Sequence, residues 1–370
     1  MASISRRRFV TAVGAAGAGA TAPAVAAPAI AQSSPELKWR MPVSWPKSLL
    51  DTLYGSAEQF TKYVSDATDG RFQIRVMVGD ERIPALEVTD AVSNGTVEAC
   101  HTAPYYMFNK DPTFAFGCAV PFGLNGRMQN SWWLEGGDVL MNAFYAKYNI
   151  YGLLAGNTMA QMGGWFRKEI NTIDDLKGVK MRIGGFAGVV IGKLGVVPQQ
   201  MPGSEIYQAL EKGVVDAAEW VGPHDDEKLG LQKVAKFYYY PGWWEGGAML
   251  HVQINKEQWE SLPKHYQAAL KAAAALTHNF TVARYDALNP IALKKIVAAG
   301  TQLRPFSEAI MDACFKAANE VYADIGGKNE DFKKLWESTK AFRADQYLWQ
   351  QLADNSYDNY MMIQQRKKTL

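Results

Sequence analysis

Between Leu37 and Thr102 the hydrophobic period switches repeatedly between two and 3.6 residues, and few folds accept that alternation. Leu37 to Ser44 alternates as a strand, and Pro46 breaks it. Leu50 to Ala67 carries apolar residues at helical spacing. Phe72 to Val78 forms a second strand, Ala85 to Val92 a short helix, and Val97 to Thr102 a third strand running up to Tyr105 and Tyr106. A βαβαβ rhythm needs crossover helices, which implies a mostly parallel sheet with helices on both faces. In open sheets of this class the ligand crevice lies at the carboxyl ends of the strands. The residues just past each strand are therefore the ones to follow.

From Pro112 to Asn149 the chain is irregular and aromatic, and a new βα series begins at Tyr151, which places a boundary near residue 155. Val179 to Ile183 forms a strand with Arg182 at its end, and Gly184-Gly185 open the next helix. Two glycines there let a ligand approach the backbone and leave helix N–H groups free for an anion. Gly184, Gly185 and Gly188 do not keep the spacing of a dinucleotide fingerprint. Val214 to Val221 is a buried strand by composition, carrying Glu219 and Trp220 at its carboxyl end before Gly222-Pro223. His224 to Glu227 is expected to be a solvated acidic turn. Tyr238 to Gly247 sets five aromatics around a single acid, Glu245, which needs a cation or a strong donor in such company. Met249 to Ile254 is a strand, a long helix is expected from about Lys264 to Leu288, and Ser307 to Gln365 is almost wholly helical in pattern.

The amino terminus carries Arg6-Arg7-Arg8 ahead of an Ala/Gly-rich apolar run and the small-residue site Ala29-Ile30-Ala31. Residues 1–31 therefore have the form of a twin-arginine export signal, removed after Ala31. The apolar run is too poor in Leu, Ile and Val to span a bilayer. The 39 basic and 37 acidic side chains nearly cancel, so nothing points to nucleic acid or a lipid surface. Cys100, Cys118 and Cys314 are too few and too scattered for a disulfide framework. No histidine pair has metal-ligand spacing, and there is no nucleophile elbow, phosphate loop or Cys-x-x-Cys.

Gln161, Arg182, Glu219 and Glu245 thus stand together as one guanidinium, two carboxylates and an amide, a set that suits an anion and a hard cation and offers no nucleophile. The motifs around them are long: Gly156-Asn157-Thr158 with Gln161 to Phe166, Lys180-Met181-Arg182 with Gly184-Gly185, Ala218 to Pro223 with Asp225 to Lys228, and Tyr238 to Gly247. On these the mature chain, from about Lys38 to Gln364, resembles the DctP-type solute-binding subunits of tripartite ATP-independent periplasmic (TRAP) transporters. It is most similar to the branch that binds 2-oxo acids. The resemblance implies an α/β, two-lobed periplasmic-binding-protein fold with parallel and mixed sheets and a long helix spanning both lobes. Lobe I is expected at 32–155 and 246–270, and lobe II at 156–245 and 271–325. Apart from the resemblance, the apolar set Tyr347, Leu348, Leu352, Tyr357, Tyr360, Met361 and Met362 makes the helices at 326–370 a candidate dimer element, with packing back on the lobes as the alternative. Arg182 would hold a ligand carboxylate through a bidentate fork. Gln161, Glu219, the Trp220 carbonyl and Glu245 would surround Na⁺ or Ca²⁺. Tyr105, Tyr106, Asn157 and Phe186 would line the pocket. The expected function is a periplasmic receptor delivering a pyruvate-like monocarboxylate to a membrane permease, with an exported metal-assisted enzyme as the alternative.

Overall fold

The computed structural model describes residues 35–79 and 82–369, so the expected export signal lies outside the described residues. The strands are β1 (Leu37–Val43), β2 (Phe72–Val78), β3 (Ala99–Thr102), β4 (Ile150–Asn157), β5 (Trp165–Phe166), β6 (Lys180–Arg182), β7 (Val197–Gln199), β8 (Ala217–Ala218), β9 (Phe237–Tyr240), β10 (Met249–Asn255) and β11 (Gln302–Pro305). They form two sheets, of order β2-β1-β3-β10-β4 and β11-β9-β5-β8-β6-β7. The rhythm at the start of the chain gives the parallel pairs β1–β2 and β1–β3. The first sheet is nonetheless mixed, because β10 enters it antiparallel to both β3 and β4.

The helices are α1 (Leu53–Ala67), α2 (Val88–Ser93), α3 (Gly126–Trp132), α4 (Asp138–Tyr145), α5 (Gly185–Gly192), α6 (Gly203–Glu211), α7 (Pro223–Leu229), α8 (Lys256–Ser261), α9 (Lys264–Ala298), α10 (Glu308–Gly326), α11 (Glu330–Gln350) and α12 (Asp354–Arg366). Leu53, Ala57, Phe60 and Val64 form the buried stripe of α1, the i, i+4, i+7 spacing of a helix lying on a sheet. Helix α9 runs ten residues past the expected end at Leu288, straight through Pro290. Proline removes only its own N–H bond, and the Ala-rich turns on either side keep the helix going. At about 1.5 Å per residue it is on the order of 50 Å long, and it packs on α1, β4 and α7. The aromatic stretch 112–149, expected to be irregular, contains α3 and α4, joined across a non-helical kink at Glu135 and Gly136. No helix among the described residues is long and apolar enough to cross a membrane.

The chain passes between the two sheets twice, and these passages make the site. One runs from Asn157, the last residue of β4, to Trp165 in β5. The other runs from Tyr240 at the end of β9 to Met249 in β10. The passages are bonded to each other: Thr158 N–H donates to the Ala248 carbonyl (3.1 Å), Gln161 N–H to the Glu245 carbonyl (3.2 Å) and Gly242 N–H to the Gln161 carbonyl (3.0 Å). Gln161 and Glu245 thus lie on adjacent crossing segments because the backbone pairs them there.

Candidate ligand and ion site

Strand β6 delivers Arg182 and the β8 segment delivers Glu219, and the parallel register Arg182↔Ala218 sets them side by side. Of the strand expected over 214–221 only Ala217–Ala218 has ladder geometry, and Val214 is half exposed. Gly164, at φ +87°, lets β5 come against this segment, where a Cβ would lie 2.8 Å from the Ala218 carbonyl oxygen. Arg182 and Glu219 are both fully buried. The Arg182 Nη1–H group donates to the Glu219 carboxylate Oε1 and to the Glu219 carbonyl (2.8 Å), while Nε–H donates to the Met201 carbonyl (3.2 Å). The Trp220 ring lies 5.1 Å from the guanidinium carbon. This corrects the expectation of a free fork: Nη1 and Nε are already engaged, and only Nη2 has no partner.

The glycine pair behaves differently from the expectation too. Gly184 N–H donates to Glu219 Oε1 (3.1 Å) and Gly185 N–H to Gln200 Oε1 (3.3 Å). The close approach these glycines permit is that of Tyr105, whose ring would lie 2.6 Å from a Cβ at 184 and 2.9 Å from one at 185. Tyr105 and Tyr106 are edge-to-face at 4.9 Å, and with Trp45, Leu53, Thr158, Gln161, Trp220 and Leu250 they wall a narrow cavity of about 10 Å³. A larger groove of about 270 Å³, lined by Trp133, Leu134, Leu153, Lys271 and His278, contains none of the predicted residues.

Burial raises the Glu219 carboxyl, and the neighbouring Arg182 charge works to bring it down. Burial, and after it the Glu219 charge, pushes the Glu245 carboxyl well above the ordinary carboxylate range; Arg182 and the Tyr105 hydroxyl offset this only in part. Arg182 is held charged: burial opposes the cation, but Glu219, Tyr106, Tyr105 and Glu245 together outweigh it. Two buried acids therefore share one guanidinium, and the site is short of positive charge. Gln161 Oε1, Glu219 Oε2 and Glu245 Oε2 are buried without a hydrogen-bond partner. Three oxygen donors with no sulfur or imidazole fit a hard cation such as Na⁺ or Ca²⁺. Among the described residues no cluster of three or more His, Cys, Asp or Glu side chains could hold a metal. The fit here rests instead on two acids and an amide.

Asn157 and Phe186 take other places than the pocket wall. Asn157 donates to Gln129 Oε1 (2.8 Å) and accepts from Met159 N–H (2.8 Å), shaping the passage that carries Gln161. Phe186 stacks on Phe108 at 5.4 Å and meets Tyr322 and Phe332 edge-on. The acidic turn at 224–227 is not a solvated surface: Asp225 and Asp226 are buried on α7. Asp226 accepts from Trp165 Nε1–H (2.9 Å), Tyr238 O–H (2.6 Å) and Val221 N–H (3.2 Å), and so fixes the segment that follows Glu219. Its position three residues past a Gly-Pro was the only available sign, since Pro223 starts a helix whose first turn carries it. Cys100, Cys118 and Cys314 are buried free thiols.

Residues 45–329 match the family described as bacterial extracellular solute-binding protein, family 7, abbreviated DctP. A monocarboxylate 2-oxoacid-binding periplasmic protein of Nostoc sp. is 48% identical over 327 residues, 88% of this chain and 89% of that protein. A TRAP transporter solute-binding protein from Bordetella bronchiseptica, crystallised as a mixed-occupancy dimer with copurified calcium and picolinate, superposes with a TM-score of 0.89 at 46% identity, over 90% of this chain and 100% of that one. A TRAP periplasmic solute-binding protein from Pseudoalteromonas atlantica with bound sodium and pyruvate superposes with a TM-score of 0.83 at 35% identity, over 88% and 99%. Those structures are of receptors, not enzymes, which leaves the metal-assisted enzyme without support. The chain belongs to the DctP family, the bacterial extracellular solute-binding proteins of family 7.

Proposed function

We propose that this protein binds a 2-oxo or 2-hydroxy monocarboxylate of pyruvate type together with Na⁺ or Ca²⁺ and delivers it to the membrane permease of a TRAP transporter. The observation that carries the reading is one set of buried, unpartnered polar atoms: Arg182 Nη2, Gln161 Oε1, Glu219 Oε2 and Glu245 Oε2. A buried polar group without a partner costs stability, so these are atoms awaiting one. Arg182 offers its remaining N–H groups to the ligand carboxylate. Gln161, Glu219 and Glu245, with the Trp220 carbonyl, hold the cation, which supplies the positive charge the acids lack and a contact for the oxygen beside the carboxylate. Tyr105 and Tyr106 close over the ligand and exclude water, which strengthens each of these interactions. The 2-oxoacid-binding Nostoc protein and the Bordetella and Pseudoalteromonas structures, which hold picolinate and pyruvate, support this ligand class.

The charge count argues for a monocarboxylate. Arg182 and a monovalent or divalent cation meet two acids and one ligand carboxylate, leaving one net negative charge with Na⁺ and none with Ca²⁺. Neither case accommodates a second buried carboxylate without a further cation. Calorimetry on protein dialysed against chelator tests the reading: pyruvate should bind with the ion present, weakly without it, and succinate poorly throughout. Equal affinity for succinate and pyruvate, or indifference to the ion, overturns it.

The division into lobes at 32–155 with 246–270 and at 156–245 with 271–325 is supported by strand membership, since β1–β4 and β10 share one sheet and the remaining strands the other. Arg6-Arg7 support export by the twin-arginine route. A homodimer through 326–370 is supported by α12, which has no buried residue while Tyr357, Tyr360 and Met362 are exposed on it.

A further inference from the structure

Asp225 lies five residues past Trp220, and its carboxylate is fully buried and does not line the ligand cavity. One oxygen accepts from the Thr52 hydroxyl (2.6 Å), the other from the Tyr285 hydroxyl (2.8 Å). Thr52 precedes α1, which packs beside β2 of the first sheet; Asp225 is on α7, directly after the β8 segment of the second; Tyr285 is on α9. Thr52, Asp225 and Tyr285 are all fully buried, and the Ser56 hydroxyl continues the seam, donating to the Thr52 carbonyl (2.7 Å) and pairing with the Thr281 hydroxyl (2.8 Å). Around the rim Asp51 faces Arg284 (3.4 Å), His224 (3.5 Å) and Lys228 (3.6 Å). The next residue after Thr52 is Leu53, which with Trp220 is among the walls of the ligand cavity.

We propose that the Thr52–Asp225 bond is a clasp between the two sheet bodies, positioning Leu53 and Trp220 across the ligand without touching it. Thr52 and Asp225 are 173 residues apart, and their bodies also meet through the crossing passages, α9, the Asp51 ion pairs and the Phe108–Phe186 stack on the far side of the site. A hydroxyl-to-carboxylate bond formed where water is excluded is among the stronger neutral–charged contacts. Its loss favours separation of the bodies and shows as faster ligand release, since contacts made after encounter govern koff more than kon.

The inference rests on the proposed two-body receptor, and the test separates the two. Lys62 and Lys177 are exposed, one on α1 and one before β6, and the native thiols are buried, so Lys62→Cys and Lys177→Cys accept spin labels for distance measurement. In this background Thr52→Val should lengthen the label–label distance in ligand-free protein and weaken binding of pyruvate with calcium chloride about tenfold, through koff. Thr52→Ser should restore both to within about twofold of the parent protein, because it restores the hydroxyl. Tyr285→Phe removes the other partner of the same carboxylate but leaves the clasp, so it should lower the melting temperature while the distance and koff stay put. Thr52→Val with parental distance and parental koff overturns the clasp. The same holds if Tyr285→Phe reproduces the Thr52→Val effects in full. Failure of the parent protein to bind pyruvate, with the distance change intact, overturns the ligand reading alone.

Discussion

Replacing Glu245 with glutamine should make the ion-free protein more stable and the receptor worse. Glu245 is 4% exposed, its Oε2 has no partner, and the nearest charges on it are those of Glu219 and Arg182. Arg182 is already spent on Glu219. Without a cation, Glu245 must either stay ionised beside another acid or take up a proton. Protonation at pH 7 of a group that ordinarily ionises near 4.5 limits the cost to about 3 kcal/mol, at 1.36 kcal/mol per pH unit. The sign follows from the direction of the shift. The folded carboxyl binds its proton more tightly than the unfolded one, so its contribution to stability falls as pH rises above about 4.5. Glutamine keeps the shape and removes that cost, so ion-free Glu245→Gln should gain stability at pH 7, by at most about 3 kcal/mol, and melt at a higher temperature. Adding calcium should stabilise the wild type by RT ln(1 + [L]/Kd) and the variant far less. Thermal melts at pH 5 and pH 7, with chelator and with calcium, measure all four quantities. A variant less stable than wild type without ion, or one that keeps the full calcium gain, refutes the assignment of Glu245 to the cation.

Arg182→Lys should lower affinity for pyruvate by at least about a hundredfold in calorimetry, since an ammonium cannot serve Glu219, Met201 and a ligand at once. His101 and His251 should stay neutral to about pH 4 and about pH 3, because burial disfavours the imidazolium and, for His251, the His101 charge adds to it. Their folded values lie below the unfolded one, so the stability they contribute is complete above pH 6.5 and lost as pH falls toward 3; ring ¹⁵N shifts that titrate near pH 6 would contradict this. Deleting 354–370 should turn a dimer into a monomer in equilibrium sedimentation while leaving pyruvate affinity within about threefold, and an unchanged mass assigns the contact elsewhere.

The βαβ alternation of the first hundred residues and the strand-end positions of Arg182 and Glu219 were legible because period and composition are local properties. The antiparallel insertion of β10 between β3 and β4 was not, since nothing in Met249–Asn255 names its neighbours. Asp225 and Asp226 were misjudged because four charged or polar residues in a row are usually solvated, and only partners distant in the chain, Thr52 and Tyr285, bury Asp225. Gln161 and Glu245 could be nominated from their motifs, but the backbone bonds that pair their two passages are tertiary. The partial engagement of Arg182 was likewise invisible, because the Met201 carbonyl that takes its Nε–H belongs to a loop whose side chain carries no sign of the role.

The paired passages have a practical consequence for observation. Gln161 and Glu245 move as one unit, and Trp243 and Trp244 directly precede Glu245 on the same segment, with their rings 4.8 Å apart. A luminescent lanthanide seated among these oxygens would therefore be excited through its own neighbouring indoles. Its emission lifetime counts the water molecules around it, so opening and closing could be timed on unlabelled protein, one photon stream reporting both occupancy and access.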